Sequence, residues 1–210
     1  MTLNENQEKA EQSGIRKTLS GYLTRSVVGL LAKSNVSPNT LTWTGFVLSL
    51  GAAALIFTGN VFISGFVVLI AGFFDMLDGA LARSIDRATR FGGVLDSTLD
   101  RLSESAVLLA VLYVYAAGNS LPGTILVGLA IIGSLLVSYI RARAEAHSLK
   151  CEVGIFTRPE RVIVLSIGLL LSKLNYALTI SLAIIVVLSA VTILQRIIFV
   201  WQQTRNTPEK

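Results

Sequence analysis

The chain has 210 residues, of which 52% are hydrophobic and only 15% are charged. Soluble domains carry about 25% charged residues, so this composition excludes an ordinary soluble domain and indicates a membrane protein. A single cysteine excludes a disulfide-bonded framework, and we attribute the net charge of +5 to orientation in a membrane, with no nucleic-acid partner.

The chain begins with a polar segment, residues 1–14, which predicts a disordered tail. In residues 15–34, apolar side chains recur at helical spacing among basic ones. This pattern predicts an amphipathic juxtamembrane helix that lies in the membrane interface, and packing of that helix on the bundle is the alternative. Residues 35–202 are predicted to form one six-helix domain, followed by a second tail over residues 203–210.

Six apolar segments approach the length of about 20 residues that a bilayer crossing needs. The last two share a stretch twice as long as one span, with a polar break at residues 172–176. The predicted fold class is therefore an all-α membrane protein with six transmembrane helices preceded by the interfacial helix. The segments are Leu41–Thr58, Val61–Ala82, Phe91–Ala117, Leu121–Ile140 and the two halves of Val162–Trp201.

Lysines and arginines are concentrated at the N-terminus, in the 83–90 and 141–161 loops and in the C-terminal tail, whereas the links on the opposite side hold Lys173 alone. The positive-inside rule then predicts a multi-pass protein of the cell membrane with both termini in the cytoplasm. His147 and Cys151 fall in a cytoplasmic loop, and we expect both to be solvated.

Two pairs of aspartates end the second predicted span and begin the third. Asp75 and Asp78 are three residues apart, and Asp96 and Asp100 are four apart, so each pair shares one face of a helix. Four carboxylates in an apolar region repel one another and need compensating cations. Carboxylate oxygens without nearby His or Cys suit Mg²⁺ or Mn²⁺, and four of them could hold two ions about 3.5–4 Å apart.

A cation channel or transporter could also use intramembrane acids. Arg83, Arg87 and Arg90 lie beside the aspartates. Because arginine pairs well with phosphate groups, these side chains favour a bound phosphate compound over a permeating cation.

The pattern Asp75-x2-Asp78-Gly79-x2-Ala82-Arg83-x8-Gly92-x3-Asp96-x3-Asp100 resembles the signature of the CDP-alcohol phosphotransferase family at every fixed position. The resemblance implies a membrane enzyme, usually a homodimer, that uses two divalent ions and releases CMP from a CDP-linked lipid such as CDP-diacylglycerol. It also implies that the four aspartates are metal ligands and that Asp100 is the general base.

The same resemblance implies a nucleotide site. Gly79 and Ala82 would leave room for the cytidine, and Arg83 would pair with the diphosphate. Asn39 and Thr42 lie in a segment that resembles the nucleotide-facing part of the family, and helix capping is the alternative role for both.

The second half of the chain predicts the acceptor. Ser138 and Arg141 lie near the end of the fourth span, Arg161 lies near the start of the fifth, and Arg196 lies inside the apolar sixth, where it needs a partner. A phosphate on the acceptor would supply that partner. These segments resemble those of family members that use inositol 1-phosphate, and glycerol 3-phosphate is the alternative acceptor.

Three further charged residues have no assigned role. Arg143 and Arg158 fit anchoring to lipid phosphates as well as they fit binding of the acceptor. Glu104 follows Asp100 by one helical turn.

Overall fold

The structure, a computed structural model, describes residues 37–84 and 89–206. All secondary structure in these residues is helical. The helices are α1 (Pro38–Phe57), α2 (Val61–Ser84), α3 (Arg90–Ala117), α4 (Leu121–Ala146), α5 (Arg158–Leu170) and α6 (Ala177–Asn206).

Local sequence signals set the starts of the helices that carry the candidate site. Ser37 precedes α1, and its hydroxyl oxygen accepts a hydrogen bond from the Thr40 N–H at 3.2 Å. Thr89 caps α3 in the same way, since its hydroxyl oxygen accepts from the Gly92 N–H at 2.9 Å. These bonds satisfy backbone donors that the first helical turn leaves without partners.

Helix α5 begins with a different cap. The Thr157 N–H donates to the Glu160 carboxylate at 2.9 Å, as in a capping box. Pro159 occupies the first turn, where its missing N–H costs nothing. The start of α5 is thereby fixed, together with the two arginines of its first turn.

The six helices form a closed ring. Neighbours around the ring follow the order α1, α2, α5, α6, α4, α3 and back to α1. The main hydrophobic core lies inside this ring, with buried side chains from all six helices. Gly65 of α2 permits close packing, because a Cβ at this position would lie 2.9 Å from the Leu170 backbone nitrogen.

Four of the helices, α1, α2, α4 and α6, are long and apolar enough to cross a membrane. Helix α5 has 13 residues, a length of about 20 Å, which is shorter than a hydrocarbon core of about 30 Å. Helix α3 carries Asp96, Asp100, Arg101 and Glu104 in its first half. Large apolar side chains are exposed on outer faces of the bundle, as lipid contact requires.

The break expected between the last two spans lies at residues 171–176, between α5 and α6. Helix α6 continues through residue 206, beyond the predicted start of the tail at residue 203. The predicted N-terminal tail, the amphipathic helix over residues 15–34, residues 207–210 and Arg87 lie outside the described residues.

The prediction for Cys151 is wrong, whereas His147 is exposed as expected. Only 1% of the Cys151 surface is exposed. The reason is that the segment between α4 and α5 folds back onto α6: the Phe156 N–H donates to the Thr192 hydroxyl at 3.2 Å, and Arg196 donates to the Val153 carbonyl at 3.0 Å.

Candidate active site

The aspartates lie on the facing parts of α2 and α3. Asp75 and Asp78 are in the last three turns of α2, and Asp96 and Asp100 are in the first three turns of α3. Both helices pack against α1. Gly45 of α1 permits this approach, because a Cβ at this position would lie 2.4 Å from the Asp75 Oδ1 atom.

Arg158 joins two of the four carboxylates. Its Nη2 atom donates to the Asp75 Oδ2 atom at 2.6 Å, and its Nη1 atom forms an ion pair with the Asp100 Oδ1 atom at 2.8 Å. One guanidinium from α5 therefore connects α2 to α3 at the centre of the site.

Asp78 has a different environment. Only 3% of its surface is exposed, and neither carboxylate oxygen has a hydrogen-bond partner in the described part of the chain. An ionised carboxylate is costly to bury without a compensating charge or donor. A bound cation would supply such a charge, and this is what the sequence-based prediction assigns to Asp78.

The donor set fits a hard divalent cation, because it consists of carboxylate oxygens from α2 and α3, which both pack against α1. Among residues 37–84 and 89–206, however, no three acidic, histidine or cysteine side chains converge closely enough to ligate one ion. Two of the four carboxylates instead contact the Arg158 guanidinium, which lies between Asp75 and Asp100.

A cavity of about 170 Å³ opens beside Asp78 and Asp96. It lies between the start of α1, the end of α2 and the start of α3. All the residues that the sequence assigned to the nucleotide line it, namely Asn39, Thr42, Gly79, Ala82 and Arg83. A Cβ on Gly93 would meet no atom within 4 Å, so this wall of the cavity is open.

A larger cavity of about 600 Å³ lies on the other side of Asp96 and also reaches Asp100. It is bounded by α3, α4, α5 and α6. All the residues that the sequence assigned to the acceptor line it, namely Ser138, Arg141, Arg161 and Arg196. Asp96 thus contributes to both cavities, which meet at the aspartates.

The three predicted acceptor arginines differ in their environments. The Arg141 side chain is 53% exposed and pairs with Glu145 at 2.8 Å. Arg161 is 1% exposed, and its Nε and Nη2 atoms donate to the two Glu104 oxygens at 2.6 and 2.9 Å. Its Nη1 atom is buried without a hydrogen-bond partner in the described residues, so one donor remains available.

Arg196 has protein partners of its own. Its Nε atom donates to the Val153 carbonyl at 3.0 Å, and its Nη1 atom donates to the Val137 carbonyl. Backbone carbonyls of α4 and the following loop therefore accept hydrogen bonds from this arginine but carry no negative charge, so binding of an acceptor phosphate by Arg196 stays a prediction.

Sequence reasoning missed the roles of Arg158 and Glu104 in this site. Arg158 and Arg161 are three residues apart on α5, whereas Asp100 and Glu104 are four apart on α3. Both spacings place their members on one face of a helix. Reading the two pairs together would have predicted the two ion pairs between α3 and α5 that the structure contains.

Comparisons with known proteins agree with this geometry. Residues 35–203 match the family model of CDP-alcohol phosphatidyltransferases. The chain is 39% identical to the archaetidylinositol phosphate synthase of Methanothermobacter thermautotrophicus, over 79% of this chain and 83% of that protein. It is 36% identical to the phosphatidylinositol phosphate synthase of Mycobacteroides abscessus, over 83% and 81% of the two chains.

The fold also matches solved structures. The crystal structure of Mycobacterium tuberculosis phosphatidylinositol phosphate synthase with CDP-DAG bound superposes with a TM-score of 0.78 at 33% identity, covering 89% of this chain and 98% of that one. The same enzyme in complex with manganese and citrate gives a TM-score of 0.79. The motif, the arrangement of the two cavities and these matches together show that the chain belongs to the CDP-alcohol phosphatidyltransferase family.

Proposed function

We propose that this protein transfers the phosphatidyl group of CDP-diacylglycerol to a hydroxyl group of inositol 1-phosphate and releases CMP. The observation that carries the proposal is the meeting of two cavities at Asp96. One is suited to the nucleotide, and the other collects cationic side chains suited to a phosphorylated acceptor. The names of the relatives, which specify inositol phosphate lipids, support this assignment.

The four aspartates are the proposed ligands of the divalent ions, Mg²⁺ or Mn²⁺, on which the enzyme depends. The unpaired oxygens of buried Asp78 support this proposal, as does the manganese complex of a relative. When bound, one or two such ions neutralise the diphosphate and stabilise the charge that develops as the bond to CMP breaks.

The smaller cavity is proposed to hold the CDP group. Arg83 would bind the diphosphate through its planar guanidinium, and Asn39 and Thr42 would contact the nucleotide. The small residues Gly79 and Ala82 on the wall of this cavity leave space for the cytidine. The lipid tails would extend from this site into the bilayer.

Asp100 is the proposed general base, because it lines the larger cavity in which the acceptor would lie. It would take the proton of the acceptor hydroxyl, whose oxygen forms a bond to the phosphorus that carries the diacylglycerol. The bond between this phosphorus and the CMP oxygen breaks in the same step. A base in this role must lie within hydrogen-bonding reach of the hydroxyl.

The acceptor phosphate is proposed to bind Ser138, Arg141, Arg161 and Arg196. A phosphomonoester carries about 1.5–2 negative charges at neutral pH, so one arginine would not neutralise it. The exposed guanidinium of Arg141 and the unpartnered Nη1 atom of Arg161 support this site most directly.

We further propose that all six segments cross the cell membrane, the short α5 together with the connecting residues 171–176, that both termini are in the cytoplasm, and that the protein is a homodimer. The concentration of basic residues on one side of the bundle supports this orientation. Both cavities would then open to the cytoplasm, which supplies the phosphorylated acceptor and receives the released CMP.

The test is an assay of CMP release by the purified full-length protein with CDP-diacylglycerol or its ether-linked archaeal analogue, Mg²⁺ and single acceptors. We expect release with inositol 1-phosphate and none without a divalent ion. If glycerol 3-phosphate alone supports turnover, the family assignment stands but the acceptor is wrong. Ion flux through liposomes without CMP release would instead identify a channel.

A further inference from the structure

Arg158 has two carboxylate partners that come from different helices. It reaches Asp75 on α2 at 2.6 Å and Asp100 on α3 at 2.8 Å. Its side chain is 20% exposed and that of Asp75 is 9% exposed, so solvent screens this contact only weakly. Arg158 therefore already supplies part of the positive charge that the aspartates require.

A divalent ion would need the same oxygens. The Asp75 Oδ2 atom accepts a hydrogen bond from Arg158, which occupies a lone pair that a metal ligand uses, and the guanidinium lies 2.8 Å from the Asp100 Oδ1 atom as an ion pair, where a metal ion would otherwise approach. The separation of the acidic side chains in the described residues, none of which form a group of three around one point, is consistent with this competition.

The guanidinium has space into which it could move. Arg158 lines the large acceptor cavity of about 600 Å³, and it also lines a small internal cavity of about 20 Å³. Its Nε atom is buried without a hydrogen-bond partner in the described part of the chain. The side chain could therefore leave the aspartates without displacing a neighbouring helix.

The backbone of α5 is held in place by a separate ion pair. Arg161, one turn after Arg158, donates twice to Glu104, and the Ser134 hydroxyl of α4 donates to the same carboxylate at 2.9 Å. A rotation of the Arg158 side chain can thus occur on a fixed helix.

We propose that Arg158 is an exchangeable counter-cation of the metal site: it pairs with Asp75 and Asp100 until a divalent ion binds these carboxylates, and it then turns into the acceptor cavity. This inference rests on the proposed role of the aspartates as metal ligands. Because Arg158 must be displaced, it lowers the apparent affinity for the ion, as any competing internal partner does.

The test is direct Mn²⁺ binding to the full-length protein in detergent, measured from the spin-resonance signal of free Mn²⁺ without any substrate. Arg158→Gln should bind Mn²⁺ about tenfold more tightly than the unmutated protein, because two charge-assisted contacts no longer compete. Arg158→Lys keeps the charge but not the two-armed geometry, so we expect an intermediate affinity.

Arg101→Gln is the matched control. It removes the same charge from the first half of α3, in a side chain that lines the same cavity but donates to the Ser97 backbone carbonyl. We expect its Mn²⁺ affinity to change less than about threefold, because its guanidinium donates to a backbone carbonyl and occupies no oxygen of the four aspartates in the described residues. Equal tightening by Arg101→Gln and Arg158→Gln, or no tightening by Arg158→Gln, would overturn the exchange.

Asp78→Asn separates this inference from the metal site on which it rests. It should weaken Mn²⁺ binding strongly, because it removes a charged ligand. If Asp78→Asn binds Mn²⁺ as the unmutated protein does, the proposed metal site itself is wrong. If Asp78→Asn loses binding and the arginine variants behave alike, only the exchange is wrong. Melting temperatures with and without Mn²⁺ verify that each variant is folded.

Discussion

Asp100 differs from the other three aspartates in the cavity that it lines. It lines the acceptor cavity but not the nucleotide cavity. Like Asp75, it forms an ion pair with Arg158. Asp100→Asn preserves the shape of the side chain but not its ability to accept a proton. Since general-base catalysis contributes about 10²–10⁴-fold, we expect CMP release to fall by at least about 100-fold. Near-normal turnover by this variant would exclude Asp100 as the base.

Gly45 provides a test of how closely α1 must approach the aspartates. In Gly45→Ala, the new Cβ would lie 2.4 Å from the Asp75 Oδ1 atom, so the carboxylate must move. Small displacements of a catalytic group reduce turnover by up to about 100-fold, and we expect a loss of at least about tenfold in CMP release, together with a higher Mg²⁺ requirement.

Gly51→Ala is the matched control for this substitution, because it lies on the same helix and its Cβ would meet nothing within 4 Å. Its turnover should equal that of the unmutated protein, and the gain in helix propensity should stabilise it by up to about 1 kcal/mol. Equal loss of activity in both alanine variants would show that the flexibility of α1, and not the space beside Asp75, is what matters.

At the scale of helices, the pair formed by Glu104 and Arg161 is central to the packing of α5. Their side chains are 8% and 1% exposed, and Ser134 adds a hydrogen bond from α4. Removal of one partner from a buried ion pair costs about 3–5 kcal/mol, so Glu104→Ala should lower the melting temperature in detergent by many degrees. Ser134→Ala removes one hydrogen bond, for which we expect a loss of about 1 kcal/mol.

The informative result is which of Glu104→Ala and Ser134→Ala lowers the melting temperature more. A melting temperature unchanged by Glu104→Ala would mean that the pair does not hold α5 on the bundle. Helix α5 would then not be held in place by this pair while the Arg158 side chain rotates, although the contacts of Arg158 itself would be unaffected.

The helices differ in how far their sequences predict them. Helices α1, α2, α4 and α6 follow apolar runs that face lipid on one side, and their positions were predicted within a few residues of the structure, although α4 and α6 extend five or six residues further at their C-terminal ends. The end of the short α5 lies within one residue of the predicted polar break, but its helix begins four residues before the predicted apolar run. Its start is set by Thr157 and Glu160, which a search for apolar runs does not detect.

The residues of the candidate site also differ in how far the sequence predicts their positions and partners. The motif spacing grouped Asp78 and Asp96 with the nucleotide residues, which line one cavity in the structure, because residues three or four apart share a helix face whatever the rest of the fold does. The partners of Arg196 could not be predicted in this way. They are the Val137 and Val153 carbonyls, which reach this arginine only through the packing of α4 and a folded loop.

The order of the helices around the ring gives the two proposed substrates separate cavities beside α3. Helix α3 lies between α1 and α4 in the ring. The nucleotide cavity is built on the α1 and α2 side of α3, and the acceptor cavity on the side of α4, α5 and α6. The two substrates would therefore reach Asp96 from two cavities that meet at this residue but have different walls, so their affinities should vary independently.

Because the affinities of the two substrates should vary independently, a substitution in one cavity can test the acceptor site alone. Arg141 is the best residue for testing the acceptor site, since it is exposed and its substitution leaves no buried charge without a partner. Arg141→Ala should raise the KM for a phosphorylated acceptor by about ten- to a hundredfold, which corresponds to the loss of a charge-assisted hydrogen bond. The KM for CDP-diacylglycerol should change little, because its CDP group is proposed to lie in the smaller cavity, which Arg141 does not line.

Arg143 supplies the control on the same helix. It is two residues away and exposed, yet it is not among the residues that line the acceptor cavity. Residues two apart on a helix do not share a face, so Arg143→Ala removes the same charge from the same membrane surface while leaving the cavity intact. If both variants raise the acceptor KM equally, these arginines act through the surface potential or through lipid phosphates, and the acceptor site must lie elsewhere. A rise confined to Arg141→Ala would instead locate the acceptor phosphate in the cavity beside Asp100.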